Sequence, residues 1–179
     1  MFYVSDINTA RPAEYKTGLQ RSVYQTLEHL HIPFERVETD EAITMEDCLA
    51  INEKLNMKMV KTIFLCDRKQ NDFYLFVTCG DKSFSSKDFS GALGITRVSF
   101  APAELMEKML GTKVGAATVF SALLDSGQKI RIVFDRDVVN EQWYGCSDGT
   151  TTGYMKIRTD QIVHQFLPYT KKALTVIEV

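Results

Sequence analysis

Lys61-Thr62-Ile63-Phe64-Leu65-Cys66 and Phe73-Tyr74-Leu75-Phe76-Val77-Thr78-Cys79, separated by the polar stretch Asp67-Arg68-Lys69-Gln70-Asn71-Asp72, decide the fold class of this chain. Both runs are rich in aromatic and β-branched residues, and the short polar link between them predicts a hairpin. An antiparallel hairpin disfavours a purely parallel, doubly wound sheet. On period-2 alternation Lys61 shares a face with Ile63 and Leu65, so its ammonium lies along an apolar wall at the mouth of the strand. A solitary strand-end lysine is ordinarily a snorkelling surface residue. Lys61 becomes a functional candidate through its combination with a small-residue loop further along, Gly115-Ala116-Ala117-Thr118-Val119-Phe120.

Helices interrupt the strands on both sides of the hairpin. Tyr15, Leu19, Val23, Leu27 and Leu30 recur at spacings of four and three, which predicts an amphipathic helix over Glu14 to Leu30 that ends in the Pro33 region. Phe34-Glu35-Arg36-Val37-Glu38 alternates like a half-buried strand. Thr44-Met45-Glu46-Asp47 then offers an N-cap hydroxyl with an acid three residues on, opening a helix to about Leu55. Ser85 or Ser86 caps a short helix toward Gly91, Arg97 to Phe100 forms a strand, and Pro102 suits the first turn of a helix carrying Leu105, Met106, Met109 and Leu110. Lys129 to Phe134 reads as a strand, Gly145 to Gly153 as irregular, Thr159 to Phe166 as a helix and Leu174 to Val179 as a last strand. This order predicts a single α/β domain over 1–179 with a mixed sheet.

Composition excludes several function classes. The chain has 179 residues, 45% of them hydrophobic, and its 21 Lys and Arg against 23 Asp and Glu give a net charge of −2. That balance excludes a broad basic surface for gripping duplex nucleic acid, so any nucleic-acid contact is local, salt-sensitive and assisted by lysines such as Lys54, Lys58, Lys82, Lys87 or Lys113. Cys48, Cys66, Cys79 and Cys146 form no C-x-x-C pair, which fits reduced thiols in a cytoplasmic protein. The start, Met1-Phe2-Tyr3-Val4-Ser5-Asp6, lacks a basic region and a long apolar run, so neither export nor membrane insertion is expected. There is no G-x-G-x-x-G after a strand and no P-loop motif, hence no nucleotide cofactor is expected. His29, His31 and His164 are isolated from acids and cysteines and give no metal-ligand set. No cysteine can be paired with a base from sequence, and Cys66 and Cys79 read as core residues.

The Gly115 loop carries the remaining chemistry. Consecutive small residues let main-chain N–H groups approach a ligand closely, where they can donate to an ester carbonyl or to the oxyanion formed when water attacks it. Taken alone it also reads as an ordinary tight connection between helix and strand.

From about Val23 to Phe166 the chain resembles the YbaK/ProX-like aminoacyl-tRNA editing domains, within them the free-standing prolyl-tRNA editing branch. The resemblance runs through Leu27-Glu28-His29-Leu30-His31-Ile32-Pro33-Phe34-Glu35-Arg36-Val37-Glu38, then Met59 to Asp67 as the family's lysine-bearing strand. It continues through Arg97-Val98-Ser99-Phe100-Ala101, and the Gly115 loop falls where the family carries G-x-x-x-P followed by Phe. It implies a mixed, barrel-like sheet flanked by helices, and hydrolysis of the ester joining a wrong amino acid to the terminal ribose of tRNA. Alanyl-tRNA-Pro would be the first substrate, with water as nucleophile and no metal or cofactor.

By the same resemblance Lys61, Gly115 and Ala116 are the catalytic residues, and Thr62, Ala117, Thr118, Val119, Phe120, Tyr144 and Asp148 line the substrate site. The implied partners are the aminoacylated acceptor end of tRNA and prolyl-tRNA synthetase. Val119 stands where the family has its loop proline, Thr62 where asparagine is common, and Tyr144 and Asp148 are the nearest matches to a histidine and an asparagine of the branch. These departures bear on the choice of amino acid, alanine against cysteine or serine. They also motivate an alternative, a non-catalytic module of the same fold that binds aminoacyl-tRNA or a synthetase.

Overall fold

A computed structural model describes residues 1–124 and 129–179. The strands β1 (Glu35–Glu38), β2 (Val60–Asp67), β3 (Phe73–Cys79), β4 (Val98–Phe100), β5 (Ile130–Asp135), β6 (Trp143–Ser147), β7 (Gly153–Arg158) and β8 (Leu174–Ile177) fall into two sheets. β2 and β3 form the expected antiparallel hairpin, from Val60 opposite Cys79 to Cys66 opposite Phe73. Around it the larger sheet runs β4-β2-β3-β5-β8, with β4 antiparallel to β2 while β5 and β8 add in parallel, so the sheet is mixed as expected.

Period-2 alternation gives the larger sheet two apolar faces. Phe64, Leu75, Val77, Ile132 and Phe134 point into the main core, where helix α1 (Gly18–His29) contributes Leu19, Val23, Tyr24 and Leu27. Ile63, Leu65, Tyr74, Phe76 and Val133 point the other way and are covered by Phe89 of helix α3 (Ser86–Leu93). A ring of Phe size is worth roughly 3–5 kcal/mol on truncation to alanine in such a setting. Helix α2 (Met45–Leu55) begins at the predicted cap: the Thr44 hydroxyl accepts from the Asp47 N–H, and the Asp47 carboxylate accepts from the Thr44 N–H. Its buried Ile51 and Leu55 meet Val37, Met57 and Tyr154, leaving Met45 and Leu49 exposed on another flank.

The smaller sheet, in order β1-β7-β6 and antiparallel throughout, corrects one expectation. The whole stretch from Gly145 to Gly153 reads as irregular in sequence, yet Gly145 to Ser147 complete β6 and Gly153 starts β7. Glycine weakens a strand in general, but at position 145 it admits a close approach. A Cβ there would lie 2.6 Å from the Met57 sulfur and 3.0 Å from the Lys58 carbonyl oxygen. The β6–β7 turn is tied to α1 through the buried Asp148 carboxylate, which accepts from Gln20 Nε2 at 2.9 Å, the Tyr24 hydroxyl at 2.9 Å and the Thr150 hydroxyl at 2.7 Å.

A barrel-like closure is not reached. Among the described residues the sheets meet at one parallel bridge, Met59 beside Gly145; the outer side of β1 is taken by the N-terminal segment, where Asn8 pairs with Arg36, and β8 ends the larger sheet. With β1 paired on that side, its edge is not open to β8. Beyond β4, the expected helix after Pro102 forms as helix α4 (Ala103–Leu105) running into a π-helical turn, Met106–Leu110. Helix α5 (Arg136–Val139) follows β5. The helix expected over Thr159 to Phe166 is present and continues through Leu167–Tyr169.

The joint between the sheets is crowded from both sides. A Cβ on Gly80 would lie 2.5 Å from the Met59 carbonyl oxygen, whereas one on Gly18 would meet nothing within 4 Å. Gly80→Ala is therefore expected to cost about 1–3 kcal/mol by overpacking against main chain. Gly18→Ala, at the start of α1, is expected to be neutral or to stabilise by up to about 1 kcal/mol. Chemical denaturation of the two variants checks this, and equal midpoints would contradict the crowded joint.

Candidate active site

The cleft follows from how the outer edge of β2 is paired. At one end β4 covers Leu65 to Asp67, and the Ala101 N–H donates to the Phe64 carbonyl at 2.9 Å. At the other end Met59 bridges to Gly145. Between them, among the described residues, no strand adds to this edge. Because Phe64 turns its carbonyl outward, period-2 places the Thr62 main-chain groups on the same open edge. The gap is the floor of a cleft of about 760 Å³. Met45 and Leu49 of α2 form one wall, Trp143, Ser147 and Tyr154 another, and Phe100, Met106 and Val114 a third. The Lys156 ammonium sits 4.4 Å from the centre of the Trp143 ring and steadies it against the wall.

Lys61 lies on this cleft, on the Ile63–Leu65 side of the strand as the alternation requires. Its Nζ donates to the main-chain carbonyl of Lys82. No carboxylate among the described residues lies within ion-pair distance of it, so its charge is oriented but not cancelled. Lys82 is the opposite case: its Nζ is 2.8 Å from Asp135 and 2.7 Å from Asp137, which pushes its pKa up from the usual lysine value. That removes Lys82 from the lysines free to meet a phosphate. Lys58, at the cleft mouth, is 3.9 Å from Glu141.

The expected site residues separate into two sets. Lys61, Thr62, Gly115 and Ala117 line the cleft. Gly115 adopts φ 92°, a left-handed conformation that favours glycine. Among the described residues no acceptor takes the N–H of Gly115 or of Ala117, while the Ala116 N–H is committed to the Lys113 carbonyl at 3.0 Å. Ala116, Thr118, Val119 and Phe120 are buried and fasten the loop. The Thr118 hydroxyl caps the 3-10 helix Val119–Leu123 by accepting from the Phe120 N–H, and Phe120 packs edge-to-face on Phe166. Val119 thus occupies the first helical position, where proline is also favoured.

Tyr144 and Asp148 do not reach the cleft wall. Tyr144 is fully buried, stacked on Phe134 at 5.9 Å, and its hydroxyl lies toward the Thr62 side chain from behind the floor. Asp148 is sequestered in the β6–β7 turn described above. Sequence reasoning missed the residues that replace them on the wall, Trp143, Ser147 and Tyr154, along with the exposed flank of α2. The usable signal was the alternation Tyr154-Met155-Lys156-Ile157-Arg158, obscured by the charges within it.

Cys48, Cys79 and Cys146 also border the cleft. Burial pushes all three thiols up, with Asp47, Asp135 and Asp148 respectively adding to it, so they are protonated at neutral pH and none is set up as a nucleophile. Among the described residues no three His, Cys, Asp or Glu side chains are grouped to hold a metal ion, and no helix is long and apolar enough to cross a membrane. What the cleft offers is the uncancelled Lys61 ammonium and, at the lining residues Gly115 and Ala117, main-chain N–H groups without an acceptor among the described residues, beside a largely apolar space. This equipment suits a ligand with an anionic or carbonyl end and a small apolar group.

A mixed α/β fold here carries a cleft whose equipment suits an acyl or phosphate group. Residues 39–164 match the aminoacyl-tRNA editing domain, and the chain belongs to that family. Prolyl-tRNA editing protein ProX of Acetoanaerobium sticklandii is 30% identical over 120 residues, which cover 67% of this chain and 73% of that protein. Prolyl-tRNA synthetase associated domain-containing protein 1 of Danio rerio is 25% identical over 122 residues, covering 68% of this chain and 66% of that protein. The crystal structure of a proposed trans-editing enzyme for prolyl tRNA synthetase shares the fold, with a TM-score of 0.64 at 15% identity over 92% of this chain and 99% of that one.

The Lys82–Asp135 pair gives the site a defined pH response. Burial pushes the Asp135 carboxyl up, but hydrogen bonds from Lys82, Thr78 and the Asp137 N–H outweigh it and hold the group below its ordinary value of 3.8. Its contribution to stability is complete above that value and is lost as the pH falls through the lower folded value. The stability difference between wild type and Asp135→Asn is therefore expected to be constant across neutral pH and to shrink below the ordinary carboxylate range. Denaturation midpoints measured against pH check this, and a difference that grows in acid would contradict it.

Proposed function

We propose that this chain is a trans-acting deacylase that hydrolyses the ester of mischarged tRNA-Pro in the cytoplasm, with alanyl-tRNA-Pro as its first substrate. Family membership and the relative named as a prolyl-tRNA editing protein support the substrate class. The observation that carries the reading is Lys61, an ammonium oriented by a neutral carbonyl with no carboxylate among the described residues to cancel it, on the same cleft as Gly115 and Ala117 of the small-residue loop. Lys61 holds the phosphate or ribose end of the terminal adenosine, and Thr62 and the Gly115 and Ala117 N–H groups hold the ester carbonyl. Water adds to the carbonyl carbon, and the negative charge that develops on the carbonyl oxygen falls to those N–H donors. The carbon–oxygen bond to the ribose then breaks, the ribose oxygen takes the proton that water gives up, and free amino acid and tRNA leave. One such donor is typically worth about 10²- to 10³-fold in rate, so no covalent intermediate is required.

A second sieve answers a physical limit of the first. A synthetase pocket shaped for proline rejects alanine weakly, because each missing methylene is worth only about 1–3 kcal/mol of discrimination. A smaller site that admits alanine and excludes proline removes the error after the fact. Recognition is confined to the acceptor end, and prolyl-tRNA synthetase is the natural source of the substrate.

Purified protein is expected to release alanine from alanyl-tRNA-Pro faster than proline from prolyl-tRNA-Pro, and Lys61→Ala is expected to lower the rate by at least about 100-fold. Release of radiolabelled amino acid from alanyl-, seryl-, cysteinyl- and prolyl-tRNA-Pro measures both. Equal decay with and without protein on all four substrates would overturn the proposal. Binding of the aminoacylated tRNA without turnover would replace it with the non-catalytic module.

A further inference from the structure

We infer that Lys82 and Asp135 are positioning residues for Lys61, their ion pair fixing the main-chain carbonyl on which the Lys61 ammonium rests. This deepens the reading of Lys61 given above and rests on it for the catalytic consequence. The geometry itself is independent of substrate. Lys61 Nζ donates to the carbonyl oxygen of Lys82, in the loop that follows β3. The main chain of that loop is held directly by the bond from the Lys82 N–H to the Cys79 carbonyl at 3.0 Å. Its other anchor is the Lys82 side chain, whose Nζ donates to Asp135 at 2.8 Å and to the Val179 carbonyl at 2.8 Å, and lies 2.7 Å from Asp137.

Asp135 can act as a fixed post because its own position is over-determined. It is 1% exposed, sits at the end of β5, and accepts from the Thr78 hydroxyl at 2.7 Å and from the Asp137 N–H at 3.1 Å. The parallel pairing of β5 with β3 sets Phe134 opposite Val77, which brings Asp135 beside Thr78. A line of contacts therefore runs from the sheet through Asp135 and Lys82 to the carbonyl that holds Lys61.

The division of charge explains why a carbonyl and not a carboxylate holds Lys61. A carboxylate would orient the ammonium equally well but would also cancel its charge, as Asp135 and Asp137 do for Lys82. A carbonyl occupies one of the three ammonium donors and leaves two, with the charge, for the ligand. When the Lys82 side chain is removed, the acceptor oxygen survives but its placement does not. Asp135 and Asp137 are then left without the cation that they share.

Three variants test this: Lys82→Met, which keeps the stem and loses the charge, Lys82→Arg, which restores it, and Lys69→Met, which removes a charge from the β2–β3 turn. Each is assayed for kcat and KM on alanyl-tRNA-Pro. Each is also assayed for acetylation of Lys61 by acetic anhydride, read by peptide mass spectrometry. Lys82→Met is expected to lower kcat about 10- to 100-fold with KM within about 2-fold, and to change the Lys61 acetylation rate by at least about 3-fold. Lys82→Arg is expected to fall within about 3-fold of wild type on both, and Lys69→Met to match it.

A folded Lys82→Met with unchanged Lys61 acetylation overturns the inference, as does failure of Lys82→Arg to recover. If Lys82→Met does not fold, Asp137→Asn, whose side chain is 58% exposed, takes its place; a shift in Lys61 acetylation supports the inference and none overturns it. If wild type has no deacylase activity, the proposed function falls, while the acetylation measurements still decide whether Lys82 positions Lys61.

Discussion

The pairing of β2 is the constraint on which the rest depends. Its inner edge is fully laddered to β3, whereas its outer edge is held at its ends, by β4 beyond Phe64 and by the Met59–Gly145 bridge. A strand edge left open in a folded protein exposes unpaired main-chain groups and invites aggregation. Here the opening is short, recessed, and walled by α2, the second sheet and the Gly115 loop, so it forms the floor of the cleft. The two glycines around Met59, at positions 80 and 145, set how close the walls come. Each faces main-chain oxygen at a distance that a Cβ would not tolerate unless something shifted.

Electrostatics within this frame follow from partition of charge rather than from net charge. Two lysines approach the same loop. One is clasped by two acids and serves structure; the other, among the described residues, meets a carbonyl and no carboxylate and so keeps its charge. The nearly balanced composition gives no hint of this, because the acids that cancel Lys82 come from the end of β5 and the turn of α5. The same logic separates Asp148 from the site. Its carboxylate is consumed by Gln20, Tyr24 and Thr150, so it holds α1 to the β6–β7 turn and has no capacity left for substrate.

Much of the fold was legible because it rests on local patterns. The alternation of β2 and β3, the four-and-three spacing along α1 and the Thr44–Asp47 capping box each act within one element and each formed, although α1 starts at Gly18 and not at Glu14, because the Thr17 hydroxyl caps it by accepting from the Gln20 N–H. The second sheet was less legible. Gly145 and Gly153 bracket a polar turn and suggest loop, but the first is required by Met57 and Lys58, and Asp148 lies 2.2 Å from a Cβ built on the second. Glycines placed for close approach are indistinguishable in sequence from glycines placed for a turn.

The candidate site divides in the same way. Lys61 and the Gly115 loop stood out by themselves, because an ammonium on an apolar strand face and a run of small residues are unusual locally. Residue type could not separate Gly115 and Ala117, which face the cleft, from Val119 and Phe120, which anchor the loop beneath it. Tyr144 and Ser147 lie on one short strand, and which of its two faces lines the cleft is decided by the packing of β6 against the core and α2. The sequence by itself determined the mixed α/β class, the hairpin and the lysine. Only tertiary structure decided that the sheet stays open, that Lys82 is spent and Lys61 is free, and which side chains meet a ligand, since each of these depends on contacts between residues far apart in the chain.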